Sequence, residues 1–322
     1  IMGTMITISA NSWMMMWMGL EMNLLSIIPL MTNVNNKMES EAAMKYFIVQ
    51  VMASAIFMLS ILLMTLKNDF FTTNKTYLIL DIAIFMKMGA APLHFWFPEV
   101  MEGLNWTNSM IMLTWQKIAP MTILMYSMTS MTLTTTVILF SMIISGLMGI
   151  NQTSMRKILA YSSINHIGWM ISAMMINQTL WLIYFVIYSM MTMNMTMMFN
   201  MINSSSVTQL MNTMNKIKMI KILFSMNFLS LSGIPPFIGF FPKWITINNM
   251  IQENLIMLAL IMIMTTLMST IYYMRMTFTA MVITLSETKT PKLMNKNMML
   301  WMILNFIVLS SLSACPLIMS FS

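Results

Sequence analysis

Charge is scarce in this chain. Sixteen lysines and arginines and nine aspartates and glutamates make up 8% of 322 residues, against 58% hydrophobic. A water-facing surface carries roughly a quarter to a third charged positions, so these few cannot cover a soluble globule of 37.1 kDa. Most of the chain must face lipid or other helices. The one cysteine, Cys315, can form neither an internal disulfide nor a CxxC pair, and two histidines, His94 and His166, are too few for most metal sites. Iron–sulfur clusters, haem pairs and zinc cages are therefore not expected. GxGxxG, GxxxxGKS/T and GxSxG are all missing, which removes the usual backbone cradles for nucleotides and acyl transfer. The formal charge of +7 then calls for a membrane rather than a nucleic acid.

What is abundant is apolar helix-forming sequence, much of it methionine: 52 residues, in blocks such as Met14-Met15-Met16, where isoleucine or leucine would fill a lipid-facing helix equally well. A spanning helix needs about 20 apolar residues. Division at polar clusters and Pro/Gly breaks predicts an all-α polytopic membrane protein of about eleven segments, forming a single integral membrane domain. They run from Ile1 to Ser9 (too short to cross, and read as truncated), Ser12 to Met31, Ala43 to Leu66, Tyr77 to Phe97, Thr107 to Ser127, Thr132 to Ile150, Lys157 to Ile176, Thr179 to Met201, Met219 to Ile251, Leu255 to Thr279, and Asn297 to Met319. Asn203 to Lys218 and Leu285 to Lys296 read as surface segments, the first with a helix lying on the membrane. Counting bases on alternate sides puts Lys37, Lys45, Arg156, Lys157, Lys216, Lys218, Lys221, Arg275, Lys289, Lys292 and Lys296 together, with only Lys67 and Lys75 opposite. The basic side should face the compartment of protein synthesis.

One motif, G-x-x-P-x-x-x-x-F-P, occurs at Gly89 to Pro98 and again at Gly233 to Pro242. Glycine and proline inside an apolar span free backbone groups that lipid cannot solvate, so each break must be buried in protein or line a wet cavity. Paired interrupted helices are expected of a transporter-like repeat. An odd number of segment boundaries between them predicts an inverted repeat, with half-repeats at 12–127 and 132–279 and a C-terminal helix at 297–319.

Four charges fall inside spans: Glu21, Lys87, Lys117 and Lys243. The first three lie ten or eleven residues into their segments, roughly 14 to 15 Å deep and near the midplane. Each such charge costs on the order of 2.5 to 3.5 kcal/mol unless paired, hydrated or neutralised. Three lysines cannot all pair with one glutamate inside this chain. Burial disfavours a charged amine and a neighbouring carboxylate restores it, so an array of this kind can switch and pass protons. Linking groups are sought in Tyr161 to His166, where His166 is the tenth residue of its span. His94, beside the first break, is a weaker candidate for the same work. Asp81 is read as a helix-end cap, and Glu99 and Glu102, beyond the first break, as structural. Two Asn-x-Thr patterns, at Asn105 and Asn151, are set aside.

Trp17-Met18-Gly19-Leu20-Glu21-Met22-Asn23, Lys87 to Trp96, Thr114-Trp115-Gln116-Lys117-Ile118-Ala119-Pro120, Asn151-Gln152-Thr153 with Arg156-Lys157, Gly233-Ile234-Pro235-Pro236 and Pro242-Lys243-Trp244 stand in an order that resembles the antiporter-like membrane-arm subunits of respiratory NADH:ubiquinone oxidoreductase, complex I. The resemblance runs from Ser12 to beyond Arg275. It implies a proton-translocating subunit of the mitochondrial inner membrane with basic loops toward the matrix, in whose animal versions eleven helices remain. It further implies that Glu21 and Lys87 form the input pair, that Lys117 is central, and that Lys243 on the second broken helix faces the exit. No cofactor is expected in this chain; NADH, flavin, iron–sulfur clusters and ubiquinone would belong to other subunits. The partners implied are neighbouring antiporter-like and small membrane subunits, and lipid. Methionine in place of isoleucine is typical of animal mitochondrial genomes. A free-standing cation/proton antiporter and a non-pumping scaffold subunit remain as alternatives.

Overall fold

A computed structural model describes residues 1–33, 36–66, 73–128, 130–202, 204–214, 218–235, 237–282 and 305. Among these residues the structure is helical throughout, apart from an isolated bridge between Ser154 and Ser206. The helices are α1 (Met2–Ser9), α2 (Trp13–Met31), α3 (Lys37–Thr65), α4 (Thr73–Met88), α5 (Trp96–Gly103), α6 (Trp106–Leu113), α7 (Trp115–Ser127), α8 (Met131–Ile150), α9 (Met155–Ile176), α10 (Gln178–Ile202), α11 (Val207–Met214), α12 (Lys218–Ser232), α13 (Phe240–Gln252) and α14 (Ile256–Val282).

Five of them, α2, α3, α8, α10 and α14, are long and apolar enough to cross a membrane. The other expected spans fall short for physical reasons. Three are interrupted: Tyr77 to Phe97 is α4 and α5, Thr107 to Ser127 is α6 and α7, and Met219 to Ile251 is α12 and α13. The interruption at Thr114 was not foreseen; its backbone turns to φ −114° and ψ −72°, and Lys117 N–H donates to its carbonyl at 3.3 Å, a tighter turn than the helix ladder. The fourth, α9, is continuous but polar, and 18 of its 22 residues are buried, so protein rather than lipid surrounds it. The surface segment predicted before Lys218 does contain a short helix, α11. The expected C-terminal span lies outside the described residues except for Asn305, as do Cys315, Lys67, Lys216, Lys289, Lys292 and Lys296.

The chain divides into two compact units, Ile1–Ser141 and Met142–Ser322. In the first, α3 packs on α2, α4 and α5, and α7 packs on α4, α2 and α1. The crossing of α1 and α2 is close because it is made of small residues: a Cβ on Gly19 would lie 2.5 Å from the Thr7 methyl. In the second unit α9 packs on α10, α13 and α14, and α12 on α10 and α14. Arg275 of α14 donates to the carbonyls of Ile150 and Gln152 at 2.6 and 2.9 Å, which satisfies the C-terminal end of α8.

Both G-x-x-P motifs are helix breaks with the same backbone chemistry. Gly89 and Gly233 have φ of 72° and 78°, in the left-handed region that favours glycine. Gly89 N–H donates to Met86 and Ala90 N–H to Phe85; Gly233 N–H donates to Ser230 and Ile234 N–H to Leu229. These are the paired bonds of a Schellman motif, which closes two terminal carbonyls of each helix and leaves later ones to find other donors. Pro236 of the second motif lies outside the described residues.

Candidate functional site

In the first unit three of the predicted charges come together. Glu21 sits in the middle of α2, whose start is capped by the Ser12 hydroxyl accepting from Met15 N–H. Lys87 is the penultimate residue of α4, placed at the break by the Gly89 turn. Its Nζ lies 3.9 Å from Glu21 Oε1, with 3% and 21% of the two side chains exposed. That separation is longer than a direct charge-assisted hydrogen bond and accommodates a bridging water.

Lys117 enters from α7, 2% exposed, with its ammonium 5.5 Å from the centre of the Phe97 ring. Phe97 belongs to α5, immediately after the first break, so the break brings a ring face to the central lysine. Lys87 and Lys117 line one small cavity, together with Asn23, Tyr46, Gln50 and Gln116. The lining supplies amides and a phenol around two ammonium groups, the kind of surface on which water forms hydrogen-bonded chains.

The carbonyls at the first break are held by neutral donors. Gln50 of α3 donates to the Lys87 carbonyl at 3.2 Å, and the Trp96 indole to the Met86 carbonyl at 3.2 Å. Asn23, Tyr46, Gln50 and Gln116 were not singled out from sequence. Gln50 carried a usable signal, as the one amide in the stretch of α3 from Phe47 to Leu59, whose other polar residue is Ser54.

The second unit holds His166 and Lys243. His166 is 1% exposed on α9; its Nδ1 lies 2.9 Å from the Tyr184 hydroxyl, and its ring lies 4.9 Å from that of Tyr188. Next to it Asn165 donates to Ser269 on α14 at 2.9 Å. Tyr272 and Tyr273, both fully buried on the same helix, have ring centres 4.3 Å apart with the rings tilted by 46°. Lys243, on the first turn of α13 and 6% exposed, reaches back over the break to donate to the Ser232 carbonyl at 2.7 Å. The tyrosines at 184, 188, 272 and 273 were also missed; their common signal is an aromatic hydroxyl within an apolar span, which requires a buried partner.

The remaining candidates separate. His94 is buried and contacts the Pro92 carbonyl at 3.2 Å through Nδ1, within the loop of the first break and outside the cavity lining. Glu99 is exposed and pairs with Lys45 at 2.9 Å, a surface contact. Glu102 is exposed near the end of α5. Asp81 departs from its expected role: it is fully buried and accepts from the Ser127 hydroxyl of α7, so it ties two helices together instead of capping one.

Buried lysines around a polar cavity, a carboxylate beside the first of them, and two glycine-closed breaks define a class of antiporter-like membrane subunit. Residues 10–269 match the family described as NADH:quinone oxidoreductase/Mrp antiporter, TM, and the chain belongs to that family. Among particular relatives, it is 45% identical over 282 residues to NADH-ubiquinone oxidoreductase chain 2 of Anopheles gambiae, covering 86% of this chain and 82% of that protein. It is 44% identical over 325 residues to the same-named chain of Aedes aegypti, covering 99% and 95%. The fold matches a chain of respiratory complex I from Thermus thermophilus with a TM-score of 0.86 at 22% identity, covering 96% of this chain and 75% of that one. The resemblance drawn from the motifs is thereby borne out.

Proposed function

We propose that this chain is a proton-translocating, antiporter-like subunit of NADH:ubiquinone oxidoreductase in the mitochondrial inner membrane. The observation that carries the reading is the single polar cavity shared by Lys87 and Lys117, with Glu21 3.9 Å from Lys87. Redox chemistry, with NADH, flavin, clusters and ubiquinone, takes place in other subunits, whose energy reaches this chain as a disturbance of the Glu21–Lys87 pair. A change of charge on either member alters the field at Lys117 across the cavity, where low dielectric makes that field strong. In the second unit the hydroxyls around His166 and the ammonium of Lys243 continue the path. A proton leaves toward the intermembrane space and another is taken from the matrix.

The eleven-span inverted repeat, with halves at 12–127 and 132–279 and a C-terminal helix at 297–319, is part of the same proposal. Its support is the identical pairing of bonds at Gly89 and Gly233. The basic loops would face the matrix, and the partners would be neighbouring antiporter-like and small membrane-arm subunits. The test is native-gel separation of gently solubilised membranes. Co-migration with NADH dehydrogenase activity in a particle many times larger than 37.1 kDa is expected. Migration alone or as a small oligomer would favour a free-standing cation/proton antiporter and overturn the assignment.

A further inference from the structure

The two breaks close their helices with the same Schellman bonds but draw different side-chain donors to their carbonyls. At the first, the donors on the helix-end carbonyls are neutral, the Gln50 amide on Lys87 and the Trp96 indole on Met86, while His94 Nδ1 contacts the Pro92 carbonyl in the loop. The space beside Gly89 is filled by Trp96 and Phe97, whose atoms would lie 3.3 and 3.1 Å from an added Cβ. At the second, the donor is an amine: Lys243 Nζ on the Ser232 carbonyl at 2.7 Å. The space beside Gly233 is filled by that same side chain, with Nζ 2.7 Å and Cδ 2.8 Å from where a Cβ would stand. In the motif register the residue after F-P is Lys243 in one copy and Glu99 in the other, and Glu99 turns outward to Lys45.

Among the described residues no carboxylate lies within the helices packed against α13, and Glu253 caps α13 itself at the end away from Lys243. Of those packed against α13, α9 brings Tyr161 and His166 along its length with Arg156 and Lys157 at its start, α10 brings Tyr184 and Tyr188, and α14 brings Tyr272, Tyr273 and Arg275. On α12, Lys218 and Lys221 stand at the end opposite Ser232. Among the described residues, then, what faces the ammonium is a carbonyl at the C-terminal, negative end of a helix.

We propose that the proton on Lys243 is the latch of the second break: the ammonium holds Ser232, the neutral amine holds it weakly, and the break loosens each time the proton leaves. The Lys87 and Met86 carbonyls that end the helix at the first break, held by neutral donors, do not respond. The inference rests on the relay reading only in taking Lys243 to exchange its proton, and it can be tested without any pumping.

The test is amide hydrogen exchange on the intact complex across the pH range in which it stays assembled, each rate corrected for the intrinsic pH dependence of exchange. The amides of Gly233, Ile234, Phe237 and Phe240 are compared with those of Gly89 and Ala90 in the same sample. As pH rises, protection at the second break should fall roughly five- to tenfold relative to the first, the difference between a charge-assisted and a neutral hydrogen bond. Lys243→Met should give the low protection at every pH. A ratio that does not change with pH in the wild type overturns the latch, whether or not the variant assembles. So does a Lys243→Met complex as protected as the wild type at its lowest pH. Proton pumping that fails in other assays while the ratio still changes would remove the relay and keep the latch.

Discussion

Glu21 and Lys87 are placed so that neither can ignore the other and neither is locked. At 3.9 Å with a buried ammonium, the pair is close enough for strong coupling and open enough for water. Glu21→Gln keeps the shape and removes the charge, so it is expected to lower proton pumping severalfold while the complex assembles normally; pumping is read in reconstituted vesicles and assembly on native gels. Wild-type pumping in an assembled variant would contradict the role given to Glu21. Charges of this kind stand out in sequence because each is expensive in an apolar span. Gln50, Tyr46 and Tyr184 did not, because neutral polar residues are common in these helices and most serine and threonine hydroxyls simply bond their own backbone, as Ser60 does to Phe57 and Thr196 to Thr192. Only the packing of α3 against α4 and α5 shows that Gln50 reaches the break while Ser60 does not.

Among the helices, the second break imposes the tightest steric demand. An added Cβ on Gly239 would lie 1.8 Å from the Ser230 carbonyl oxygen, backbone against backbone with no side chain able to yield. Gly239→Ala is therefore expected to prevent the second break from forming and to reduce assembled complex to a small fraction of normal on native gels. Gly146→Ala is the control: its Cβ would meet Met268 Cβ at 3.2 Å, a contact relieved by a shift of a few tenths of an ångström, and assembly should change little. Equal loss in both would show that the break is not the sensitive feature. The G-x-x-P pattern made these breaks readable, because glycine and proline leave a local signature. The interruption at Thr114 had no such signature, since Thr196 makes the same hydroxyl bond inside unbroken α10.

Taken as a whole, the molecule inverts the economy of a soluble protein. Its long outer helices expose methionine, leucine and isoleucine, with only 28% of the best spanning windows of α3 and α14 buried. Its most polar long helix, α9, is enclosed, and with it His166, Asn165 and Ser162. Apolar runs announced the membrane, and the interior polarity followed from the rule that such groups must be shielded from lipid. What sequence could not supply is which polar residues meet, since that depends on helix rotation and on the breaks. The central claim is that Lys117 relays protons from the Glu21–Lys87 cavity, and the most direct measurement is the number of protons moved per NADH oxidised by a fully assembled Lys117→Ala complex. The account predicts normal assembly with a clear fall in that ratio, whereas an unchanged ratio would contradict it.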